Sequence, residues 1–112
     1  MDSSATLPSV GQTWLADVGP DTPLGHFTVE ITFDTDTRMS FVVTGGALEG
    51  RTESMDHTAT KVRDDLYVVR WSEPEAGDHV THIEDYTNGA CMASSVIGGE
   101  FVRLHGTWTR VH

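Results

Sequence analysis

Apolar and polar residues alternate along most of the chain, with a period of two. Phe27, Val29, Ile31 and Phe33 are apolar, with Thr28, Glu30 and Thr32 between them. That is the pattern of a half-buried strand. Asp34 to Thr37 reads as a turn, and Met39, Phe41 and Val43 resume the alternation, which predicts a hairpin. Arg51 to Val62 is Thr-rich and predicts a long or bent strand, turned at Arg63–Asp65. Leu66–Glu73 is the clearest strand, and Pro74–Asp78 turns it. His79–Tyr86 follows, closed by Thr87, Asn88 and Gly89, where Asn-Gly is a strong hairpin signal. Ala90–Ile97, Gly98-Gly99 and Glu100–Arg110 complete the series, and Gln12–Asp17 adds a strand before a Gly/Pro-rich loop from Gly19 to Gly25.

About eight strands at short spacing, joined by tight turns, predict an all-β domain. Hairpins in unbroken succession favour a single eight-stranded antiparallel up-and-down β-barrel, wide enough for one small ligand. The chain has 112 residues, 38% of them hydrophobic, enough for one core. Residues 11–112 are the expected barrel domain. Residues 1–10 read as a flexible tail, with no basic region or apolar run of a signal peptide.

Parity assigns faces. Tyr67, Val69, Trp71 and Glu73 share a face opposite Arg70, so Glu73 is expected inside beside Trp71. Val80, His82, Glu84 and Tyr86 share a face whose direction apolarity alone leaves open. Arg51, Glu53, Met55, His57 and Ala59 alternate with Thr and Ser, although a bulge there would shift the register. With these faces inward, the barrel holds Arg51, His57, Glu73, His82 and Glu84 among apolar residues. A few polar groups in an apolar pocket suit a small-molecule site. Candidate ligand contacts are Trp71, Tyr67, His57, Phe41, Val29 and Met55. The plain alternatives are that Glu73 sits solvated at the rim, that Arg51 is on the surface, and that His82 and Glu84 belong to an outer face.

Seven Lys+Arg against seventeen Asp+Glu give a net charge of -10, which argues against nucleic acid and anionic membranes as partners. No apolar stretch approaches a membrane span of about 20 residues, so a cytoplasmic protein is expected. The single cysteine, Cys91, excludes an internal disulfide and a Cys-rich zinc site. Gly45-Gly46 and Gly98-Gly99 look like hairpin turns rather than phosphate loops, so no nucleotide cofactor is expected.

Two segments carry a resemblance. Gly46-Ala47-Leu48-Glu49-Gly50-Arg51 and Leu66-Tyr67-Val68-Val69-Arg70-Trp71-Ser72-Glu73-Pro74 resemble the phenolic acid decarboxylases, small calycin barrels of lipocalin-like fold. Over residues 11–110 the chain more closely resembles the MoaF-like branch of the calycins, on Gly11-Gln12-Thr13-Trp14 and His82-Ile83-Glu84-Asp85-Tyr86. The decarboxylase resemblance implies that Glu73 is the proton donor and that Arg51 stands beside it. The tyrosines that hold the substrate in that family have no counterpart in the first half of this chain, so a different substrate is expected.

Two functions follow. One is a cofactor-free lyase or isomerase acting on a small, partly apolar molecule. Glu73 would be the general acid/base, Arg51 the oxyanion anchor, and His82 with Glu84 a second acid/base pair. The other is a non-catalytic carrier of a small hydrophobic ligand. A metal site from His57, His82 and Glu84 is a third reading, set aside in favour of a metal-free one. A homodimer stays an open expectation.

Overall fold

The computed structural model describes residues 5–20, 22–74 and 77–112. Eight strands follow one another: β1 (Thr13–Asp17), β2 (Thr28–Phe33), β3 (Arg38–Gly45), β4 (Thr52–Arg63), β5 (Leu66–Glu73), β6 (Asp78–Asp85), β7 (Ala90–Ile97) and β8 (Glu100–Arg110). Each pairs antiparallel with the next, and β8 pairs back onto β1, so the sheet closes into a barrel. No helix long and apolar enough to cross a membrane occurs among the described residues.

The turns are built from the residues that mark them in the sequence. The Thr35 hydroxyl accepts from the Thr37 and Arg38 amides between β2 and β3. The Asp85 carboxylate accepts from the Thr87 and Asn88 amides between β6 and β7. These side chains satisfy turn amides that have no ladder partner. The seam of the barrel pairs Ala16 with Trp108 and Asp17 with Thr107. Gly106 is required there, because a Cβ would collide with the Asp17 carbonyl.

Alternation carries through to burial. On β4, Glu53, Met55, His57 and Ala59 are buried while Thr52, Ser54, Asp56, Thr58 and Thr60 are exposed. The register shift in this strand falls between Lys61 and Arg63, beyond these positions. The inward sets of β5 (Tyr67, Val69, Trp71, Glu73) and β6 (Asp78, His82, Glu84) are buried beside them.

The barrel has two unlike ends. The β2–β3, β4–β5 and β6–β7 turns lie at one end, here the base; the other four connections lie at the mouth. The chain before β1 crosses the base. The Ala5 amide donates to the Ala59 carbonyl at 2.8 Å and the Gly11 amide to the Phe33 carbonyl at 2.7 Å. Leu7 is 2% exposed and Ser9 0%. The expected flexible tail is therefore corrected over residues 5–10, which close the core. Residues 1–4 of that tail lie outside the described residues. The physical reason is that an open barrel end would expose Phe33 and Trp108, and Leu7 joins their apolar cluster.

Leu7→Ala should accordingly cost about 2–5 kcal/mol, as for other buried leucines. Urea unfolding checks this; a loss below about 0.5 kcal/mol, the range of an ordinary surface substitution, would remove the segment from the core.

Candidate active site

The inner face carries two polar layers, one at the mouth and one near the base. At the mouth, β5 ends on Glu73 and β6 begins on Asp78, and these two residues pair directly across the ladder. Gly50, at φ 94°, turns the chain so that Arg51 enters the barrel just ahead of β4. The Arg51 guanidinium then meets three carboxylates: Glu73 Oε1 at 2.6 Å, Glu53 Oε2 at 2.9 Å and Asp78 Oδ2 at 3.3 Å. The Trp71 indole donates to Glu73 Oε2 at 3.0 Å, and the Gly98 amide donates to Asp78 Oδ1 at 3.0 Å. Glu73 is thus gripped at both oxygens.

Burial pushes the Glu73 pKa above its usual 4.5, against the opposing pull of the Trp71 hydrogen bond and the Arg51 charge. Burial also works against the Arg51 charge, but its carboxylate partners outweigh this and hold it protonated more firmly than usual.

Beneath these groups lies a cavity of about 80 Å³. Its wall is mainly apolar, with Phe27, Val29, Ile31, Phe41, Val43 and Val80 beside Trp71. Arg51, Glu73 and Asp78 reach it at the mouth, and His82 and Ser95 also line it.

The second layer starts at His82. Its Nδ1 lies 2.8 Å from Glu84 Oε2, the Tyr86 hydroxyl donates to Glu84 Oε1 at 2.6 Å, and Ser9 Oγ is 2.7 Å from the Tyr86 oxygen. Glu84 is 0% exposed. Burial alone would lower the His82 pKa; the Cys91 thiol and the Glu84 carboxylate outweigh it and raise the value to about 9. Burial, and then the Glu84 charge and its hydrogen bond, keep Tyr86 a neutral phenol well above its usual range. His57 stands edge-on to Phe33 with ring centroids 5.5 Å apart. Neither of its ring nitrogens has a hydrogen-bond partner in the structure, and burial lowers its pKa.

The sequence pattern of the MoaF-like family matches residues 20–109. The chain belongs to that family. A crystal structure from Burkholderia vietnamiensis, provisionally described as a beta-lactamase, has the same fold: TM-score 0.82, 24% identity, covering 96% of this chain and 100% of that one. At that identity the likeness is one of fold. No curated protein matches the chain.

Within this MoaF-like barrel, six of the expected site residues line the cavity: Arg51, Glu73, His82, Trp71, Phe41 and Val29. Glu84, Tyr67, His57 and Met55 are buried inside the barrel but are not part of the cavity wall. For Tyr67, His57 and Met55 this departs from the expected ligand contacts. The lower barrel is filled by the Trp14–Trp108 stack, Phe33 and the N-terminal segment, so His82 and not His57 borders the cavity. His82 and Glu84 meet, but among the described residues no group of three or more His, Cys, Asp and Glu is arranged to hold a metal.

Glu53, Asp78, Tyr86 and Ser9 complete the two layers, and none was singled out by sequence for its chemistry. Strand parity was the available signal for Glu53 and Tyr86. Extended back from Val80, it also reaches Asp78.

The two buried histidines should titrate on opposite sides of the usual value of 6.5. NMR of the imidazole nitrogens should place His82 near 9 and His57 below 6.5. The folded state holds the His82 proton more tightly than the unfolded chain does. Its stabilisation is therefore complete below about pH 6.5 and is lost as the pH rises through about 9. His57 acts in the opposite sense, and its burial costs stability as the pH falls below 6.5. A His82 ring titrating at or below 6.5 would contradict the buried ion pair with Glu84.

Proposed function

We propose that the mouth cavity binds a small organic molecule and that Glu73 exchanges a proton with it, in a lyase- or isomerase-type reaction without a cofactor. The observation that carries this reading is the setting of Glu73. Its carboxyl group is on the wall of an apolar cavity, fixed at one oxygen by Arg51 and at the other by Trp71. Burial raises its proton affinity. A fixed carboxyl group with a raised pKa is what general acid/base chemistry needs, and such groups contribute about 10²–10⁴-fold to rate.

Arg51 takes a different role from the oxyanion anchor expected from the sequence. Its guanidinium is committed to the protein's own carboxylates, so it acts as a positioning residue that aims Glu73 and tempers its pKa. His82, with Glu84 behind it, is the second proton-bearing group on the cavity wall. The apolar wall would also suit a carrier that leaves its ligand unchanged, and the test below separates the two.

Proton exchange is measurable without knowing the natural substrate. The protein is incubated in D₂O with a panel of small ketones and amino ketones, and deuterium uptake beside the carbonyl is followed by mass spectrometry. Protein-dependent uptake is expected, reduced about 10²-fold or more in Glu73→Gln, with thermal unfolding of the variant showing that it stays folded. Equal uptake by wild type and Glu73→Gln would remove Glu73 from the chemistry. No protein-dependent uptake across the panel would favour the carrier.

A further inference from the structure

The geometry points to a small amine-bearing molecule as the ligand of the mouth cavity, seated with its nitrogen at Glu73 and Asp78 and its apolar part against Trp71 and Phe41. This rests on the reading of the cavity as a small-molecule site and decides which charge that molecule carries.

Charge supplies the first reason. Among the described residues, Arg51 is the cation bonded to this group, and it faces three carboxylates. Among the described residues, carboxyl groups therefore outnumber cations three to one at this end of the wall. A ligand carboxylate would add to that excess in a half-desolvated place, where repulsion is strong. His82 offers no counterweight deeper in, because its charge is already matched by Glu84.

Hydrogen bonding supplies the second reason. Glu73 and Asp78 each receive one hydrogen bond per oxygen, from Arg51 with Trp71 and from Arg51 with Gly98. A carboxylate oxygen accepts about two, so both groups keep acceptor capacity beside the cavity. An ammonium group brings donors and positive charge together, and such bonds are the strong ones.

The third reason lies in the wall. The Arg51 guanidinium carbon stands 5.9 Å from the centre of the Phe41 ring, so an aromatic face at this mouth already receives a cation. Phe27 and Trp71 line the same space. The cavity of about 80 Å³ admits only a small body beneath the charged group.

The test compares three molecules of matched size: n-butylamine, n-butanol and butyrate. Each is titrated into the full protein at neutral pH while the Trp71 indole and Val80 methyl NMR signals are followed. Butylamine should bind roughly tenfold or more tightly than butanol, a difference typical of an added charge-assisted bond, and butyrate should not bind. Added salt should weaken the amine and leave the alcohol unchanged. Asp78→Asn should lower amine affinity severalfold without changing that of butanol; if the variant does not fold, the salt series on wild type decides. Butyrate binding as tightly as butylamine would overturn the amine inference and leave the cavity reading standing. So would amine binding indifferent to salt. If none of the three perturbs Trp71 or Val80, both readings fall.

Discussion

Pairing of β8 with β1 is the constraint on which the rest depends. An open meander of eight strands has two faces in water and two free edges; closing it creates an inside. From that point the period of two decides everything about position, since each strand must send every second residue into the tube. At the seam Ala16 lies opposite Trp108, and Gly106 packs against the Asp17 backbone. Once it closes, Glu53, Glu73, Asp78, His82 and Glu84 are withdrawn from solvent together.

Withdrawing that many ionisable groups is costly unless each finds a partner. The barrel solves this differently at its two ends. Near the base, one imidazole meets one carboxylate, the Tyr86 hydroxyl and Ser9 extend the chain of hydrogen bonds, and the segment before β1 covers it. At the mouth, one guanidinium serves three carboxylates and the layer borders a cavity. Along the β5–β6 ladder His82 lies opposite Val69 while Asp78 lies opposite Glu73. Four strand residues, or roughly 13 Å, therefore separate the two layers. The base is a closed hydrogen-bonded lock, and the mouth, with its surplus of acceptors, is where the proposed ligand would sit.

Much of this was legible in the sequence because alternation is a local signal. The Leu66–Glu73 strand set Glu73 and Trp71 on one face, and the polar-apolar alternation after Arg51 set Glu53, Met55 and His57 on another. What alternation does not report is depth. His57 and His82 share the inner surface, yet only His82 borders the cavity, because Trp108, Phe33 and Leu7 fill the space below. Leu7 itself is one apolar residue among Ala, Thr, Pro and Ser, and nothing within its own segment marks it as a plug. In the sequence Asp78 is the last residue of the Pro74–Asp78 turn; its place in the site comes from Glu73 across the ladder and Arg51 from another hairpin.

The proposed chemistry depends on a proton held by one carboxyl group in an acidic, half-closed mouth. The most direct measurement is a carbon-13 NMR titration of the Glu73 side-chain carboxyl in the intact protein. The midpoint should lie above 4.5, because desolvation outweighs the pull of Arg51 and Trp71. A midpoint at or below 4.5 would mean that those two partners hold Glu73 as a fixed anion, and the central claim would be wrong.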